Sequence, residues 1–116
     1  MKKVSASQFA DALNRVGQGK GRIPAFLQAH YERPGRAATA TILAGAVGYK
    51  SYDGINLQYG MLASKIGAHL GIRDVNIRLL VDLVPDHSVT NEQWIFIMRP
   101  EFARGLKRAG WVTGPS

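Results

Sequence analysis

Three stretches of this sequence predict an α+β fold of winged-helix-like layout. In the first, Thr39 to Gly71 (TATILAGAVGYKSYDGINLQYGMLASKIGAHLG), apolar residues recur at helical spacing on both sides of a short polar break. In the second, Val75, Ile77, Leu79, Val81 and Leu83 alternate with their neighbours as in a strand, and Gln93-Trp-Ile-Phe-Ile-Met98 makes a further apolar run. The third, Pro100 to Gly110, returns to helical spacing. The resulting order is helices, a helix-turn-helix, a two-stranded β-hairpin and a C-terminal helix, which is the layout of a winged helix.

From the N-terminus, Met1 to Val4 is a basic arm. Ser5 and Gln8 have the spacing of a capping box, in which each side chain bonds the other's backbone N–H. Phe9, Leu13 and Val16 then mark an amphipathic helix. Gly17-Gln-Gly-Lys-Gly21 reads as a flexible linker, because it lacks the Lys-Ser/Thr ending of a phosphate loop. Pro24 suits the first position of a second helix, whose apolar side is Phe26, Leu27, His30 and Tyr31. Pro34-Gly35 ends that helix.

Thr39 is placed to cap the next helix, with Ile42, Leu43, Ala46 and Val47 on one face. Gly48 sits where helices end in a left-handed residue. Lys50 to Asp53 forms the turn, with Ser51 or Asp53 as the following cap. Ile55, Tyr59, Leu62, Ile66 and Leu70 line the core side of a longer helix that Gly71 closes. The alternation from Val75 to Val84 predicts one strand; Pro85 to Ser88 punctuates, and a polar loop leads to the second strand. In the last helix Glu101 near the start and Lys107 and Arg108 near the end complement the dipole. Phe102, Ala103 and Leu106 face inward, and Trp111-Val112 folds back after Gly110. The chain divides into a basic helix and linker over 1–22, a winged-helix-like domain over 23–112 and a loose tail over 113–116.

The 116 residues carry a net charge of +7 and no cysteine. A basic balance favours an anionic partner through counterion release. Residues 1–36 hold seven basic against two acidic side chains, residues 37–71 two against one, and residues 72–116 six against five, so the positive field is mainly N-terminal. The absence of cysteine removes disulfides and thiolate chemistry and fits a cytoplasmic protein. No apolar run approaches bilayer length, which predicts no membrane partner.

On the central helix the face opposite the core carries Leu57, Met61, Ser64 and Ala68, with Gly60 and Gly67 at its edge. So small and apolar a face predicts burial on both sides, or a close contact with a helix or protein. Polar groups gather at the helix start instead: Lys50, Ser51, Tyr52, Asn56 and Gln58. A helix N-terminus seats a phosphate through its unpaired N–H groups and dipole. Asn56 suits adenine, and Tyr52 a stacked base or a phosphate. The structural alternatives are caps for Ser51 and Asp53, packing for Tyr52 and a turn bond for Asn56. Lys65 joins the nucleic-acid set, as does Arg36, which with Arg33 brackets the Pro34-Gly35 turn. Lys2, Lys3, Lys20, Arg22 and Arg33 are the expected DNA-backbone contacts.

Catalytic patterns are missing. No two of His30, His69 and His87 have zinc-ligand spacing with a carboxylate, so neither a metal nor another cofactor is expected. Asp86-His87-Ser88 holds triad residue types, but sequence neighbours do not supply triad geometry, and the segment reads as a turn. The carboxylates are scattered. An enzyme is not predicted. Trp94, Phe96 and Met98 share one strand face, which is either an exposed patch for a protein or unpaired bases, or a face covered by helices.

Two strings, GYKSYDGINLQYG within Arg36 to Gly60 and SVTNEQWIFIMRPEFARGLKRAGWV from Ser88 to Val112, resemble a small bacterial and phage module. That module also precedes His-Asn-His-type nuclease domains in predicted restriction endonucleases. The nuclease signature is absent here, so the resemblance implies a targeting or accessory role in restriction and phage defence, without cleavage. The expected partner is double-stranded DNA, with the loop near His87 as the wing. The rival expectation is a protein-binding adaptor, or a phage-encoded inhibitor (anti-defence, anti-CRISPR-like) that contacts a nucleic-acid-targeting host complex. A homodimer seam of Leu57, Met61 and Ala68 belongs to that second reading.

Overall fold

A computed structural model describes residues 4–17, 24–86 and 93–114 of the protein. The N-terminal capping box forms in full: the Gln8 N–H donates to Ser5 Oγ at 3.1 Å, and the Ser5 N–H to Gln8 Oε1 at 2.9 Å. It starts helix α1, Ala6–Gly17, which buries Phe9, Ala12 and Leu13. Helix α2 spans Ala25–Glu32, with Pro24 just outside at the cap position rather than in the first turn. Its buried residues are Phe26, Leu27, His30 and Tyr31. Arg33 is extended, as a residue before proline should be, and a 3-10 turn over Pro34–Arg36 follows.

The chain then enters a strand that its spacing does not announce. Strand β1, Ala37–Thr39, runs antiparallel to a strand near the C-terminus, pairing Ala37 with Ile97, Ala38 with Phe96 and Thr39 with Ile95. Thr39 both ends β1 and caps helix α3, Ala40–Val47, by accepting from the Ile42 N–H at 3.1 Å. Gly48, at φ 78°, ends α3 in the left-handed conformation that costs glycine no Cβ clash. The buried residues of α3 are Ala40, Leu43 and Ala44; Ile42 and Ala46, expected on its inner face, are exposed. The cause is β1, which anchors the helix start and turns Ala40 inward. Helix α4, Asp53–Leu70, buries Ile55, Tyr59, Leu62, Ala63, Ile66 and Gly67 and ends at Gly71.

After α4 the predicted long strand is shorter than expected. Asn76 Oδ1 accepts from the Arg78 N–H at 2.8 Å and opens a 3-10 turn over Ile77–Leu79. A side chain that supplies the turn's hydrogen bond competes directly with strand pairing. Strand β2 begins only at Val81 and continues to Asp86, through Pro85. The proline is tolerated because β2 is an edge strand, bonded to β3 alone. Strand β3, Gln93–Met98, is central in a three-stranded antiparallel sheet of order β1-β3-β2. Helix α5, Pro100–Arg108, completes the α+β fold, and the Trp111 N–H returns to the Leu106 carbonyl at 2.8 Å.

Of the strand residues Trp94, Phe96 and Met98, the last two belong to the core at 5% and 2% exposure, and only Trp94 is open. Of the two readings of that face, the covered one holds for Phe96 and Met98, and the exposed one for Trp94 alone. Phe9 and Leu13 of α1 share one core with residues of every other helix, so the sequence boundary at residue 22 does not divide the packing. At the α1–α5 contact, a Cβ on Gly105 would lie 2.5 Å from Phe9 Cβ, which is closer than two carbons can pack. The tail reading also changes at Thr113, whose N–H and carbonyl both bond the Gln28 amide, at 3.0 and 2.9 Å.

Candidate nucleic-acid interface

The turn between α3 and α4 presents Lys50, Ser51 and Tyr52 to solvent. Tyr52 is 54% exposed, so it does not pack inward. It stands at the cap position of α4 without a side-chain cap bond, and Ser51 Oγ accepts from the Asp53 N–H at 3.3 Å. Ser51 thus does part of a cap's work, and the Ile55 and Asn56 N–H groups both donate to the Tyr52 carbonyl, at 3.1 and 3.2 Å.

Along α4 the two faces separate cleanly. The expectation of burial on both sides is corrected: Leu57 is 63% and Met61 46% exposed. Asn56, Leu57, Gly60, Met61, Ser64 and Lys65 line an open groove of about 700 Å³, whose other wall is Val75, Asn76 and Ile77. Two residues of the predicted set, Asn56 and Lys65, are brought together here. Gln58 is half-buried and does not line the groove. The side chains of Asn56, Lys50 and Lys65 make no hydrogen bond or ion pair among the described residues. The groove's second wall was hidden in the sequence because Val75 to Leu79 alternates like a strand; Asn76, a turn-forming type at its start, was the available signal.

The two arginines of the Pro34-Gly35 turn serve the fold. Arg36 has a left-handed backbone (φ 53°), holds its guanidinium 3.9 Å from the Tyr31 ring centroid and donates to the Tyr31 carbonyl. Arg33 donates to the Ala37 carbonyl at 3.3 Å and stays exposed. Lys2, Lys3, Lys20 and Arg22, and the His87 loop expected as the wing, lie outside the described residues.

Polar chemistry inside the fold centres on His30, which is fully buried. Its Nε2 lies 2.9 Å from the Phe96 carbonyl oxygen, which can only accept, so Nε2 carries the proton. Nδ1 then accepts from the Tyr59 hydroxyl at 2.6 Å. Burial lowers the His30 pKa below its usual 6.5, against a smaller opposing effect of backbone hydrogen bonds, and pushes the Tyr59 phenol well up. Both ring nitrogens are used in the core, where they tie α2 to α4 and β3. Among the described residues no group of three His, Asp or Glu side chains is placed to hold a metal ion.

Comparison with protein-family models, with curated proteins and with solved structures gives no match. Among the described residues, no helix is long and apolar enough to cross a membrane.

Proposed function

We propose that the chain is a non-catalytic, winged-helix-like module that binds double-stranded DNA through the α3-turn-α4 unit. One observation carries this: a strand precedes a helix-turn-helix, a hairpin follows it, and the first strand pairs with the second hairpin strand. With that connectivity α4 keeps one face outside the sheet-and-helix core, as a recognition helix must. The net charge of +7 and the exposed Lys50 and Lys65 support an anionic partner. Ser51, Tyr52 and Asn56 supply hydrogen-bonding groups at the helix start. With the resemblance to modules beside nuclease domains, this fits a targeting role in restriction or phage defence.

A second reading, a protein-binding adaptor or inhibitor of a nucleic-acid-targeting complex, is favoured by the exposure of Leu57 and Met61. Backbone amide NMR during titration with a short random duplex separates the two. Shifts confined to residues 50–65 and the segment facing them support DNA binding. An unchanged spectrum at low salt, with shifts only on adding a protein partner, would favour the adaptor.

A further inference from the structure

The outer face of α4 has no arginine. Guanine is most often read by Arg or Lys bonded bidentately to O6 and N7. The groove offers instead the Asn56 amide, the Ser64 hydroxyl, one lysine at its flank and the exposed apolar side chains Leu57 and Met61 on α4, with Asn76, whose Oδ1 is taken by the Arg78 N–H, on the other wall. Between Leu57 and Met61, Gly60 leaves open space: a Cβ built there meets nothing within 4 Å. Base edges can therefore come close to the helix surface.

An apolar side chain in the major groove finds one apolar group on the base edges, the C5-methyl of a pyrimidine. Thymine carries that methyl, and 5-methylcytosine carries the same one. The Asn56 amide, unbonded among the described residues, matches adenine N6 and N7, and adenine is thymine's partner. Charge decides between a nucleic acid and a protein as occupant: the groove lining holds one charged side chain, Lys65, and no carboxylate. Exposed Lys50, Lys65, Arg73 and Arg78 outnumber the exposed Asp53 and Asp74 on α4, its turn and the segment after it. An apolar floor beside Lys65, on a stretch of chain whose exposed charge is mainly positive, suits methylated base edges between phosphates.

Resting on the DNA-binding reading, we propose that α4 reads pyrimidine C5-methyl groups in the major groove through Leu57 and Met61, with Asn56 on a neighbouring adenine. The test is fluorescence anisotropy with four duplexes of equal length. They are a mixed A·T duplex, the same duplex with deoxyuridine for thymidine, a mixed G·C duplex, and the same duplex with 5-methylcytosine. Removing one bound methyl group should weaken binding roughly fourfold. Discrimination in the thymine pair supports the inference in full; discrimination in the cytosine pair alone supports methyl reading by Leu57 and Met61 and overturns the adenine contact of Asn56. The double variant Leu57→Ala, Met61→Ala, altered only at exposed positions, should bind methylated and unmethylated duplexes alike while keeping its salt dependence. Equal binding by the unaltered protein, or discrimination that survives in the double variant, overturns the inference and leaves DNA binding standing. No binding to any of the duplexes at low salt overturns the DNA reading itself.

Discussion

His30 is bonded in the core through both ring nitrogens, and its burial shapes the protein's response to acid. Its folded pKa lies below the unfolded 6.5 because burial disfavours the charged ring. Between those two values the unfolded chain binds the extra proton, so stability rises with pH there and falls as pH drops below about 6.5, by up to about 1.4 kcal/mol per unit. Urea unfolding from pH 7.5 to 5.5 checks this, and a flat profile would refute it. Tyr59→Phe keeps the ring packing against Phe26 and Phe96 but removes the donor to Nδ1. It should cost about 1–3 kcal/mol by the same measurement. Local chemistry of this kind was only partly legible in the sequence. The Ser5–Gln8 box and the Thr39 cap were readable because their partners lie three residues away. The His30–Tyr59 bond spans 29 residues, and no local pattern reports it.

Among the elements, helices were readable and the sheet was not fully so. Helix ends carry their own signals, such as Gly48, Gly71 and Pro100. Strand β1 has none: two alanines and a threonine become a strand only because β3 lies beside them. The segment after Gly71 misled for the opposite reason, since Asn76 diverts an alternating pattern into a 3-10 turn. At the α1–α5 crossing, Gly105→Ala should destabilise by about 1–3 kcal/mol, because the added methyl meets Phe9 Cβ and the Ala10 backbone. Thermal unfolding tests it; an unchanged midpoint would show that the helices can separate at no cost. The same scale explains the candidate site. The sequence placed Asn56 and Lys65 on α4, but the groove needs a second element that only the fold supplies.

For the whole molecule, one core joins the N-terminal helix to the rest, although composition alone sets residues 1–22 apart. Deleting residues 1–17 removes the buried Phe9 and Leu13, and should cost at least about 3 kcal/mol, read by urea unfolding. The global charge was legible from the first count of residues; its use was not, because Arg36 is tied to Tyr31 while Lys50 and Lys65 remain open. The DNA-binding proposal stands or falls on whether this charge meets phosphates. Anisotropy with a random double-stranded duplex across a salt series decides it. Log affinity should fall linearly with log salt, with a slope of about −0.9 per phosphate contact, and Lys65→Ala should reduce that slope by about one. No binding at the lowest salt, or an affinity indifferent to salt, would contradict the proposal.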